Sequence, residues 1–145
     1  MVCVRGGAPL NVNVKRIRTM KSTSNIFEKQ TEWPDSWAFD DADVEKGREI
    51  TVVLQAFTKS LIALGLAPNT VRRHVNNLWL LGGEIIRDIN SYPMLRKKTA
   101  LELIEYSVDD EGGPYCRHLN SESEIRAFDA TCKKLHKFIN ENHHL

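Results

Sequence analysis

Two stretches of this chain repeat apolar side chains every three or four residues, and only Gly65 to Ala67 separate them. Ile50, Val53, Leu54, Phe57, Leu61 and Leu64 line one face of a helix expected over about 43–64. Val71, Val75, Leu78, Leu81, Ile85 and Ile89 line one face of a second, expected over about 68–90. Gly65 suits a helix C-terminus, Pro68 suits a first helical turn, and Ala67 or Asn69 sits near the new cap. Each stripe must be buried against another element, which commits the chain to helix-on-helix packing. Gly82-Gly83, inside the second stripe, marks a close crossing or a kink.

The flanks extend this pattern. Pro93 closes the second helix, and a third is expected over about 94–107 on Leu95, Leu101, Leu103, Ile104 and Tyr106, opened by Arg96-Lys97-Lys98. "VDDEGGPYCRHLN" (108–120) is turn chemistry. Ser121 and Glu124 form a capping box for a last helix reaching about 141 on Ile125, Phe128, Cys132, Leu135 and Ile139. Upstream, Trp33, Trp37 and Phe39 are too apolar for a linker and predict an irregular lead-in packed on the body. Asp40, Asp41 and Asp43 supply cap and first-turn charge. Residues 1–25 read as a loose basic arm with a short strand at 10–17. The expectation is an all-α protein: an arm and lead-in over 1–42 and a compact four-helix bundle over 43–145.

Net charge is +1, but its distribution is uneven. Residues 26–50 hold eight acidic and three basic side chains, residues 51–100 two and seven, and residues 101–145 nine and five. A basic middle between acidic flanks can make a one-sided positive surface. No apolar run reaches the ~18 residues that span a bilayer, and no signal-peptide stretch opens the chain. The three cysteines, Cys3, Cys116 and Cys132, are widely spaced and form no disulfide framework. A reducing, cytoplasmic setting is expected.

Catalytic signatures are missing. No serine sits in a Gly-x-Ser-x-Gly elbow, no Gly-rich phosphate loop is present, and the carboxylates crowd into the acidic flanks. A non-enzymatic protein without cofactor or small-molecule substrate is expected. Cys116 and His118 with Cys132 and His136, the latter two a helical turn apart, make a Cys2His2 zinc site conceivable. Cys132 falls on the apolar stripe of the last helix, however, where a thiol acts as a small hydrophobe, and no metal is expected.

Basic and amide side chains point elsewhere. Arg72, Arg73, Asn76 and Asn77 lie off the buried stripe of the second helix, in pairs four residues apart. They follow a helix start, whose backbone N–H groups and dipole favour anions, and Thr70 adds a hydroxyl. Arg126, Lys133, Lys134 and Lys137 form a second strip on the last helix. Together these nine suit contact with a nucleic-acid backbone.

The stretch "LGLAPNTVRRHVNNLW" (64–79) resembles the N-terminal core-binding domain of tyrosine recombinases, the phage-integrase family. That domain carries a small-Leu-Ser-x-x-Thr-[Ile/Val]-x-x-[Tyr/His]-x-x-x-Leu motif, and Gly65, Leu66, Ala67, Pro68, Asn69, Thr70, Val71, His74 and Leu78 occupy its places in turn. "CKKLHKFI" (132–139) looks like the domain's last helix. The resemblance covers about 43–140 by helix layout and 65–80 by motif, with Ala67 where the family often has Ser. It implies a SAM-like four-helix bundle gripping duplex DNA through its second and fourth helices, here the faces with Thr70, Arg72, Arg73, Asn76 and Asn77 and with Arg126, Lys133, Lys134 and Lys137. The family's catalytic Arg, Lys, His-x-x-Arg and Tyr have no counterpart in these 145 residues, so the resemblance implies a DNA clamp without strand cleavage.

The reading is therefore a non-catalytic module for duplex DNA, with no membrane partner. Its rivals are a SAM-like protein-interaction module that associates with a recombinase or with itself, for which Trp33, Trp37, Phe39 and Trp79 are the residues to watch, and a helix-turn-helix reader, which the long apolar second helix disfavours.

Overall fold

A computed structural model describes residues 25–142; the arm up to residue 24, with its expected strand at 10–17, lies outside the described residues. The apolar stripes become helices. In chain order these are α1 (Trp33–Trp37), α2 (Asp41–Ala63), α3 (Pro68–Ser91), α4 (Ala100–Ser107) and α5 (Glu122–Glu141), with a 3-10 turn at Pro93–Lys97 and a further helical stretch over 25–30. The described residues hold no β-strand, and one β-bridge, between Asp109 and Gly112, closes a turn. The all-α class is as expected. The element count is not, because the chain builds several short helical pieces around the expected long ones.

Local chemistry explains where each long helix starts and stops. The Asp40 side chain accepts the Asp43 N–H while the Asp43 carboxylate accepts the Asp40 N–H, a reciprocal cap that opens α2. Gly65, at φ +79°, turns the chain out of it, a backbone shape that costs glycine little. Pro68 then sits in the first turn of α3, whose N-cap Ala67 has no side chain to offer the helix. Ser121 and Glu124 form the expected reciprocal cap on α5.

Two expectations are corrected. The third helix does not run unbroken from 94 to 107. Thr99 and Glu102 make their own capping box, so the chain leaves the 3-10 turn through extended Lys98 and restarts as α4. Arg96-Lys97-Lys98 thus opens no α-helix. The lead-in is not irregular either: Pro34 in its first turn and tryptophans four residues apart make α1, which buries both Trp33 and Trp37.

The core is one cluster in which Leu54, Phe57 and Leu61 of α2 meet Leu78, Leu81 and Ile85 of α3, Leu103 and Ile104 of α4 and Phe128, Leu135 and Ile139 of α5. Ile125, expected in the α5 stripe, is instead 44% exposed. α3 is the central rod and touches every other named element. At Gly82 the flat ring of Trp37 rests on bare α3 backbone, where any Cβ would collide with the indole. The Trp37 indole N–H donates to the Trp79 carbonyl at 2.9 Å, which locks α1 to α3. The glycine pair therefore marks a close approach, made by a ring and not by a second helix.

Asp43 ties the opposite end. Its carboxylate, 0% exposed, accepts from the Phe39 N–H at 2.8 Å, Asn90 Nδ2 at 3.0 Å and Arg96 Nη2 at 3.0 Å. Burial alone would raise its pKa, but the bonds from Asn90, Phe39, Arg96 and Asp40 prevail and hold it below the usual carboxylate range. Arg96, expected to open the third helix, is a structural tie between the 3-10 turn and α2.

Candidate nucleic-acid interface

The seam between α3 and α5 is polar at its outer edge, and one buried hydroxyl organises it. Thr131 Oγ1 donates to the Ala127 carbonyl at 3.2 Å and accepts from Asn77 Nδ2 at 2.9 Å. His74 Nδ1 lies 2.8 Å from the same oxygen. Whether His74 Nδ1 donates to this hydroxyl or accepts from it follows the imidazole tautomer. Asn77 Nδ2 also reaches the Ala127 carbonyl at 3.3 Å. Moving back along α3 from Asn77 to His74 moves forward along α5 from Ala127 to Thr131, so the helices run antiparallel here.

That register carries the start of α3 toward the turn of α5 that follows Thr131 and holds Lys134. Lys134 is close enough to His74 to act on it: burial first, and then the Lys134 charge, lower the imidazole pKa. Arg73, Lys133, Lys134 and Lys137 are exposed, and among the described residues none of them is in an ion pair. Arg126 pairs with Glu122 at 3.6 Å, both solvent-facing, which weakens the positive strip at the front of α5. Lys134 and Lys137 also stand at the rim of a groove of about 470 Å³, floored by Phe57, Leu61 and Phe138.

Of the nine side chains expected to form one face, the structure does not bring all together. Asn77 is half-buried and is spent holding α5. Arg72 and Asn76 turn to the other flank of α3, where they line a separate groove with Trp79, and Arg72 donates to Asn69 Oδ1 at 2.6 Å. Thr70, Arg73, Lys133, Lys134 and Lys137 remain as candidates, with Lys133 about 100° around α5 from Lys134, on the side away from Thr131. Sequence reasoning missed Thr131 and the structural part of His74. The signal was a threonine placed between Phe128 and Leu135, on the side of α5 that faces inward.

The zinc set is not assembled. Cys116 and Cys132 are buried free thiols. Burial, then the neighbouring Asp129, Cys116 and Asp109, push the Cys132 thiol up to about 12. His136 Nε2 lies 3.1 Å from Asn140 Nδ2. Among the described residues no three His, Cys, Asp or Glu side chains gather at metal-binding spacing.

No helix among the described residues is long and apolar enough to cross a membrane. Comparison with protein-family models, curated proteins and solved structures returns no match.

Proposed function

We propose that this protein is a non-catalytic, cytoplasmic DNA-binding module that grips the backbone of duplex DNA, as the core-binding domain it resembles would do without its catalytic partner. One observation carries the reading: the Thr131 tie sets the start of α3 beside the Lys134 turn of α5. The start of α3 has no side-chain cap, so its N–H groups and dipole are available to an anion. Arg73 brings a planar donor fork to a phosphate, and Lys133, Lys134 and Lys137 bring point charges. Binding of this kind is weak, tolerant of sequence and steeply salt-dependent.

The test is anisotropy with random duplex DNA at two salt concentrations. Arg73→Ala and Lys134→Ala should each lower affinity, with helical content unchanged. Equal affinity for wild type and both variants would remove this face from consideration. The second reading, a protein-interaction module, draws on the exposed ring of Phe39, 67% accessible. It requires self-association or capture of a recombinase that Phe39→Ser abolishes, with DNA binding absent throughout.

A further inference from the structure

The other flank of α3 holds a groove with a different chemistry. It lies between residues 25–33 and α3, encloses about 540 Å³, and has Ile26, Trp33 and Val75 in its floor. That volume is in the range that holds a nucleotide-sized ligand. Trp79 forms one wall and is 40% exposed. Its indole N–H donates to Ser36 Oγ at 2.9 Å, and its carbonyl accepts from the Trp37 indole at 2.9 Å. The ring is therefore held in place before any ligand arrives, which lowers the entropy cost of stacking on it. The charged side chains in the lining are Lys29 and Arg72; no carboxylate lines it. Asn76 adds an amide with both donor and acceptor.

We infer that this groove takes an unpaired nucleotide of a single strand, its base against Trp79, its phosphate at Lys29 and its base edge at Asn76. A pre-set indole, a cation and an apolar floor are what sequence-tolerant single-strand binding uses. An apolar peptide gives the cations no role, and an acidic peptide gives the exposed indole no flat partner. Arg72 and Arg73 are about 100° apart around α3, so this groove and the α3/α5 face point to different sides of the helix. The inference stands apart from the duplex reading and needs nothing from it.

The whole chain is titrated with a twelve-nucleotide oligo-dT and with a random duplex of equal length, read by anisotropy and by tryptophan emission. Oligo-dT should bind and quench the emission. Trp79→Ala should weaken that binding by about tenfold and leave duplex affinity nearly unchanged, and Trp79→Phe should retain most of it. Lys29→Glu, at an exposed position that does not threaten folding, should weaken oligo-dT as well. Wild-type affinity in both Trp79→Ala and Lys29→Glu overturns the proposal. So does loss of oligo-dT binding only in Arg73→Ala and Lys134→Ala, which puts the strand on the α3/α5 face. Displacement of oligo-dT by an oligo-glutamate of equal charge at equal concentration also overturns it, since the groove then reads charge alone. Failure of the duplex reading looks different: oligo-dT still binds and no duplex does.

Discussion

At position 82 a methyl group has nowhere to go. Gly82→Ala drives a carbon into the Trp37 ring, and overpacking of this kind costs about 1–3 kcal/mol, to be read from the urea midpoint. Gly83 makes the control: a Cβ there comes to an ordinary 3.4 Å from Trp37 Cδ1. Gly83→Ala should be neutral or stabilise by up to about 1 kcal/mol through helix propensity. Asp43 predicts a larger loss. Asp43→Ala removes half of the reciprocal cap of α2 and strands Arg96, at a cost of about 3–5 kcal/mol near neutral pH. Because the folded pKa lies below the ordinary 3.8, this stabilisation is complete above 3.8 and is lost as pH falls through the folded value. The gap between wild type and Asp43→Ala should therefore close at strongly acid pH. His74 acts in a higher window. Its folded pKa lies below the ordinary 6.5, so the unfolded chain binds the proton more readily and stability declines as pH drops below 6.5. Denaturation between pH 7 and 5 should show this slope, and His74→Gln should flatten it.

Between elements, one hydroxyl carries the α3/α5 seam. Thr131→Val keeps the shape but removes the oxygen that His74 Nδ1 and Asn77 Nδ2 share, leaving Asn77 only its longer bond to the Ala127 carbonyl, a loss of about 1–3 kcal/mol in thermal or urea unfolding. On the proposed function it should also weaken duplex binding with little change in salt dependence, because no charge is removed. The long elements were legible in the sequence: α2, α3 and α5 follow stripes of Leu, Ile, Val and Phe, and their ends lie at Gly65, Pro68 and Ser121 as side-chain chemistry dictates. The short elements were not. Over 94–107 the spacing of leucines outvoted Thr99, whose local cap decides the backbone. In the lead-in, Pro34 starts α1 from its first turn. The candidate site was half legible. Exposed cations can be read from a helical stripe, but which of them share a side depends on long-range register. Thr131 meets a residue 57 positions away, and nothing local announces that.

For the molecule as a whole, charge placement gives the sharpest expectation. α5 opens with Glu122 and Glu124 and is cationic at Lys133, Lys134 and Lys137, so a polyanion has one preferred end of this helix to approach. If the α3/α5 face releases counterions from DNA, removing Arg73 and Lys134 together should reduce the slope of log affinity against log salt by roughly 2. A slope unchanged in the double variant means the contacts lie elsewhere. The seat of Trp37 on Gly82 has a practical corollary. Two of the three indoles are enclosed and the third stands at a groove mouth, so the protein carries its own optical probe. Blue-shifted light from Trp33 and Trp37 signals that the amino-terminal lead remains docked, while the redder contribution of Trp79 responds to whatever arrives beside it. A single spectrum can thus separate a variant that has come apart from one that has merely lost its ligand.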